Sequence, residues 1–405
     1  MAETLRLLER QTGGVAANLP HLSDPGVMRI ARKLSMFPEM SPATAMSLAY
    51  PHTIISKVDD LQDDDDNTDD LLTGALRRFE FGDPDDLSTG YTLADVQLGD
   101  GVAEVTVESA AGNVLTVTMP CGPVRTDWRA VYEELLPEQR DTVTAMLMDH
   151  ATDTDLCLLG GPGSGKTTIV RAFAAVLGYV VSTVHFFQDM TSRDILQRRG
   201  TDISGNTKWD NTTVIRAAVL GELAILDGTH RIPSDVLAIM QRLCLDRDLE
   251  LFDGTRLMRW DRYDTTKAKA GLSDDDMAAR QMFRIHESFR IVAVGEPPGA
   301  KSAWLTSELV SFFSFHVAPQ IGGARLEDVM CSLYPSVDQA AMHTLITFTE
   351  ALRDESEYLF LPCQLGPALC AAAPNPIRPQ SRSRRARLPT RAGSRCATCG
   401  GLAAA

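Results

Sequence analysis

A continuous apolar run that breaks into a glycine-rich turn and reopens as a helix leaves a chain few folds to choose from. Such a run stands at Leu156-Cys157-Leu158-Leu159-Gly160-Gly161-Pro162-Gly163-Ser164-Gly165-Lys166-Thr167-Thr168. Four apolar residues without alternation read as a parallel strand buried on both faces. Ile169 to Leu177 then spaces its apolar residues along one face of a helix. Between the two, Gly160 to Thr167 fits G-x-x-x-x-G-K-[ST], and the strand–loop–helix context gives that match its meaning. Glycines let backbone N–H groups turn inward around phosphate oxygens, where a Cβ would collide. The helix N-terminus adds unsatisfied donors and partial positive charge. The expected cradle for a nucleoside triphosphate is Gly160, Gly161, Pro162, Gly163, Ser164, Gly165, Lys166, Thr167 and Thr168. Lys166 is expected to reach the β- and γ-phosphates, and the Thr167 hydroxyl to hold Mg²⁺.

Phosphoryl chemistry needs a second carboxylate on that ion, presented from the end of a neighbouring strand. Leu223-Ala224-Ile225-Leu226-Asp227 is an apolar strand ending in an acid, which makes Asp227 the candidate. His230, three residues on, either serves as a base near the γ-phosphate or packs and caps the next helix.

Around this pair, residues 150–320 alternate strand and helix signals, with strands expected at 156–160, 179–186, 223–227, 289–294 and 312–317. That pattern implies an α/β fold, a three-layer sandwich with a parallel five-stranded sheet. Thr191 with Asp194 is expected to cap a helix running to Gln197, and Ser234 a helix carrying Val236, Leu237, Met240, Leu243 and Cys244 on one face. Leu249 to Met258, around Asp253-Gly254, reads as a hairpin. Trp209, Trp260 and Trp304 read as packing anchors.

The flanks differ. Residues 1–55 form a small helical segment in which Val27, Ile30, Ala31 and Leu34 share a face opposite basic residues. Residues 56–100 read as an acidic loop or linker, with eight aspartates between 59 and 70 but neither the alternating ligands nor the glycine of a Ca²⁺ loop. Residues 101–149 read as a β-hairpin and helical connector broken at Pro137, and 321–357 as the start of a helical lid. Residues 358–405 hold seven arginines and no acid among many Pro, Ala and Ser, a composition that reads as disorder. Cys396 and Cys399 there are half of a zinc site at most.

Composition excludes some functions. A net charge of −15 argues against a general nucleic-acid binder. No apolar run approaches the roughly 20 residues of a membrane-spanning helix, and the opening residues show neither signal nor transit peptide. Eight scattered cysteines do not form a disulfide framework, which points to an intracellular, reducing compartment.

LLGGPGSGKT at 158–167, LAILDGTHRI at 223–232, the hairpin at 249–258 and FRIVAVGEPP at 289–298 resemble the dynein-related, midasin-like branch of AAA+ ATPases. The helices after His21-Leu22-Ser23-Asp24-Pro25 resemble the lid of a preceding module of that branch. The resemblance implies an AAA+ core of the P-loop NTPase fold, ATP with Mg²⁺, a ring shared with other AAA+ modules, and a protein client that is remodelled. It further implies a mitochondrial setting, with cytoplasmic as the alternative. Three positions depart from the branch's pattern. Gly228 stands where a water-polarising Glu is expected, Glu296 where an Asn is expected, and Phe312 where a neighbour's arginine finger is expected. Loss of a finger alone costs about 10³–10⁵ in rate. The expectation is therefore a module that holds Mg·ATP and hydrolyses it weakly. The alternatives are an inert nucleotide-binding scaffold and a P-loop kinase acting on a small acceptor.

Overall fold

A computed structural model describes residues 24–49, 89–201, 205–298, 304–320 and 322–359. The acidic run at 59–70, the arginine-rich tail and Cys396 and Cys399 lie outside these residues.

The first helices are α1 (Asp24–Met36) and α2 (Pro42–Ala49). Ile30, Phe37, Met40 and Ala45 join the same buried cluster as the central sheet. The basic face opposite the apolar one is not left to solvent. Lys33 is 2% exposed and ion-paired with Asp149, while Arg29 and Arg32 donate to the carbonyls of Ser311 and Thr152. Nothing in the residue pattern of this helix signals the buried acid that meets it.

Next come β1 (Tyr91–Leu98), β2 (Val102–Ser109) and β3 (Val114–Pro120), an antiparallel meander. The hairpin was expected, but β1 falls in a stretch read as loop. Its outward residues are polar and a bulge between Leu93 and Asp95 interrupts its period, so alternation hides there. Helices α3 (Trp128–Glu133) and α4 (Pro137–Ala151) follow. Pro137 opens α4, where its missing N–H costs nothing.

The central layer begins with β4 (Asp155–Leu159) and α5 (Lys166–Val176), followed by β5 (Val181–His185) and α6 (Ser192–Leu196). A short polar hairpin, β6 (Gln197–Thr201) and β7 (Thr207–Asn211), leads to α7 (Thr213–Leu220) and β8 (Leu223–Asp227). Thr191 and Asp194 form the expected cap of α6. Where one helix was expected after β8 there are two, α8 (Ser234–Ala238) and α9 (Gln241–Leu245), and Pro233 rather than Ser234 holds the capping position. The expected hairpin forms from β9 (Leu249–Glu250) and β10 (Arg256–Met258). Helices α10 (Trp260–Ala270) and α11 (Asp274–Ala279) lead to β11 (Met282–Arg284), which adds to β10 in parallel. Then come β12 (Arg290–Gly295), α12 (Ser307–Val310) and β13 (Phe313–Val317), and lastly α13 (Gly323–Leu333) and α14 (Gln339–Leu359).

Strands β13, β4, β12, β8 and β5 lie side by side in that order, all parallel. This is the α/β sandwich expected, within a residue or two at each strand. Every residue of β4 and β12 is buried, which explains their unbroken apolar character. Trp304 is buried, and Trp209 stacks on Phe252. Among the described residues no helix is long and apolar enough to cross a membrane.

Candidate functional site

In an open parallel sheet, ligands bind beyond the carboxyl ends of the strands, because the loops there converge. The strand order puts the sequence candidates together at that edge. β12 sits between β4 and β8, pairing Gly295 with Leu159 on one side and Val294 with Asp227 on the other. The loop after β4 is pinned to β12 by the Gly160 N–H donating to the Gly295 carbonyl at 3.2 Å.

Within the loop, Gly163 and Gly165 both take φ of +80°, a conformation that L side chains avoid. Gly165 caps α5, and a Cβ there would lie 2.7 Å from the Gln139 amide. Gly161, Pro162, Thr167 and Thr168 face solvent. Ser164 is buried, and its Oγ has no partner among the described residues. Lys166 Nζ lies back across the loop, donating to the carbonyls of Gly160 at 2.6 Å and Gly161 at 2.7 Å. Burial lowers its pKa, opposed by the negative charges of Glu296 and then Asp227. Lysine and both acids therefore share one electrostatic neighbourhood.

Asp227 is about half exposed and accepts a hydrogen bond from His185 Nδ1 at 3.0 Å, across the paired ends of β8 and β5. His230 sits on a short turn after β8. Its Nδ1 accepts the Glu296 backbone N–H at 3.2 Å, which assigns the proton of the neutral ring to Nε2. That edge faces the Glu296 carboxylate at 3.7 Å. Burial draws the ring below its ordinary pKa, against the attraction of Glu296. The Trp304 indole N–H donates to the Glu296 carbonyl at 3.1 Å.

A cleft of about 390 Å³ lies beside the loop, lined by Leu136, Gln139, Pro319, Gln320, Gly322 and Arg325. Glu138 and Arg325 form an ion pair at its rim. Gln139 belongs to both features, with its oxygen accepting the Leu136 N–H and its amide beside Gly165.

The three departures have distinct surroundings. Gly228 takes φ of +87°, with Phe186 O and Arg231 Cδ each 3.3 Å from where its Cβ would stand. Its N–H donates to Val294 O. Phe312 is buried in the sheet's core and edge-on to Phe313, so no charged group at that position reaches outward. Glu296, by contrast, is carried into the site. Sequence reasoning counted it only as a missing Asn, and it overlooked His185 and the cleft. The strand ends at His185 and Gly295 were the available signal for both side chains.

The residues present suit a magnesium nucleotide. The loop offers backbone groups, a lysine and an orphaned buried hydroxyl. Thr167 and Asp227 offer one hydroxyl and one carboxylate, the sparse set tolerated by an ion that keeps waters and takes phosphate oxygens. Among the described residues no cluster of three or more His, Cys, Asp or Glu could hold a metal alone.

Comparison with known proteins agrees with this class. Residues 155–313 match the AAA domain of the dynein-related subfamily. Over 375 residues, 88% of the chain, it is 35% identical to von Willebrand factor A domain-containing protein 8 of Mus musculus, covering 18% of that protein. Over 120 residues, 29% of the chain, it is 31% identical to protein NorQ of Paracoccus denitrificans, covering 43% of it. The chain thus spans less than half the length of either relative. A solved NtrX structure from Brucella abortus covers 55% of this chain and 42% of its own at 16% identity, with a TM-score of 0.32, too loose a likeness to carry argument.

Proposed function

We propose that the chain is an ATP-binding AAA+ module that hydrolyses its nucleotide slowly and uses the ATP state to assemble with other modules in a ring and remodel a protein partner. The observation that carries this reading is the convergence of Lys166, Asp227 and the glycine loop at one edge of the sheet, beside a cleft sized for a nucleoside. Loop amides and Lys166 bind the phosphates, while Thr167 and Asp227 hold Mg²⁺. When bound, that ion supplies charge neutralisation between the β- and γ-phosphates. Leu136 and Pro319 offer apolar walls for the base. The Glu138–Arg325 pair at the rim links the first turn of α4 to the first turn of α13, a route by which nucleotide occupancy is coupled to lid position.

Slow turnover follows from Gly228 and Phe312, neither of which supplies the group that the resemblance assigns to it. The same two positions favour the second reading, a scaffold with no turnover. Titration calorimetry with ATP and Mg²⁺ tests the binding claim, with Lys166→Ala and Asp227→Asn each expected to weaken affinity at least about tenfold. Light scattering with and without ATP tests assembly, and an unchanged mass would remove the ring from the proposal. A mitochondrial setting belongs to the same reading, and imaging of the tagged full-length protein tests it.

A further inference from the structure

Of the groups at this edge, Glu296 is a carboxylate that no motif accounts for. It leaves β12 between the strand that launches the phosphate loop and the strand that ends in Asp227. Its backbone is held from two sides, by His230 Nδ1 on its N–H at 3.2 Å and by the Trp304 indole on its carbonyl at 3.1 Å. The preceding residue is fixed as closely, since a Cβ on Gly295 would come within 2.7 Å of Thr229 Oγ1 and 3.3 Å of the Trp304 ring. The carboxylate itself is 43% exposed, and its charge, with that of Asp227, reaches Lys166. A clamped backbone with a carboxylate left half open is how a reacting group is presented, whereas a structural carboxylate is usually consumed by its partners, as Asp155 is in this molecule.

We propose that Glu296 is the carboxylate that polarises the attacking water, taking over from β12 the task that position 228 cannot perform from β8. This rests on the ATP-binding reading above. A Glu296 oxygen accepts a proton from water as the water oxygen bonds to the γ-phosphorus. The bond from that phosphorus to the bridging oxygen breaks, its electron pair leaves with ADP, and the carboxyl group then releases its proton to the departing phosphate. His230 is a positioning residue. Its Nδ1 holds the 296 amide, and its Nε2–H edge turns toward the carboxylate without forming a hydrogen bond at 3.7 Å. The ring is thereby unsuited to act as the base itself, because one nitrogen is occupied and the other carries the proton.

The test uses the full chain with ATP and Mg²⁺, following phosphate release in a single turnover and identifying the nucleotide that stays bound. Wild type is expected to convert bound ATP to ADP slowly. Glu296→Gln is expected to lower that rate by about 10²–10⁴-fold, the usual worth of general-base catalysis. Its ATP affinity should stay within about threefold, and the retained nucleotide should be uncleaved ATP, a readout that loss of folding cannot produce. His230→Ala should lower the rate less, again without loss of affinity. Glu296→Gln turning over within about threefold of wild type would overturn the inference, as would a wild type that holds ATP intact indefinitely. Either result leaves the binding reading standing. A wild type that binds no ATP sinks the binding reading instead, and this inference with it.

Discussion

The two ends of one sheet treat charge in opposite ways. At the amino ends of the strands, Asp155 and Arg247 form a two-pronged pair at 2.6 and 2.7 Å, with side chains 0% and 6% exposed. The Ile291 N–H donates to the same aspartate at 2.9 Å. Arg290 is buried against Asp153 there, and farther along the sheet Lys33 and His316, the latter level with Leu158 of β4, close on Asp149. At the carboxyl ends, Asp227 and Glu296 are 48% and 43% exposed, and their charges act on a lysine that donates to carbonyls instead. The amino end satisfies its charges internally and so ties helices and strands together. The carboxyl end leaves its charges wet and incompletely matched, which is the condition for a charged ligand to bind.

That contrast can be broken most severely at the dry end. Removing one member of a buried pair leaves the other uncompensated, so Arg247→Ala should cost about 3–5 kcal/mol, read as a lower urea midpoint. Replacing Asp155 and Arg247 together by apolar residues of similar volume should cost far less, and an equal loss would show that the hydrogen bond to Ile291 matters more than the pair. At the wet end the same kind of change should spare the fold. Lys166→Ala should leave the ligand-free midpoint nearly unchanged while removing roughly 1.5–3 kcal/mol of ATP binding, the worth of charge-assisted hydrogen bonds. A large loss of stability from Lys166→Ala would erase the distinction.

Much of this contrast was written into the sequence, though unevenly. The buried strands β4, β8 and β12 announce themselves as apolar runs because both their faces are covered. The glycine loop and Asp227 are legible because phosphate binding restricts residue type at fixed spacing. The polar hairpin β6–β7 lacks that signal, since nearly all of it is exposed and its residues obey no alternation. Burial of Lys33 is not legible in the sequence, because its partner Asp149 lies far along the chain, beyond the first sheet. Glu296 was opaque for a related reason. Its place depends on β12 inserting between β4 and β8, an order that the chain does not follow.

A smaller effect, graded by pH, belongs to the dry end. His150 is fully buried on α4, donating through Nε2 to the Pro120 carbonyl at 2.9 Å and packed edge-on against Phe173 and Tyr179. Burial, and then the positive charge of Arg290, bring its pKa from 6.5 to about 3. Between those values the unfolded chain takes up a proton that the native protein refuses, so stability falls as pH falls from 6.5 toward 3. The slope from this one group approaches about 1.4 kcal/mol per pH unit. Asp149 does not confuse the measurement. Burial raises its pKa, but Lys33 and His316 outweigh it and set the value below 3.8, so its contribution is lost only in stronger acid. Urea midpoints at pH 7 and pH 5 should therefore differ less in His150→Phe than in wild type, and an equal difference would mean that the ring is already charged when folded.

The smallest effect lies where the wet end meets its own backbone. Gly228 takes φ of +87° with Phe186 O and Arg231 Cδ at 3.3 Å from a Cβ, so any L side chain there meets both torsional strain and crowding. Gly228→Ala should cost about 1–2 kcal/mol of stability without changing ATP affinity. Gly228→Glu restores the acid that the family resemblance expects, yet it should carry the same strain and leave phosphate release unimproved, because the left-handed turn aims position 228 differently from an extended strand end. A tenfold rise in phosphate release from Gly228→Glu would show instead that the end of β8 can still present the acid. The water would then be polarised from beside Asp227, and Glu296 would be reduced to a counter-charge for Lys166.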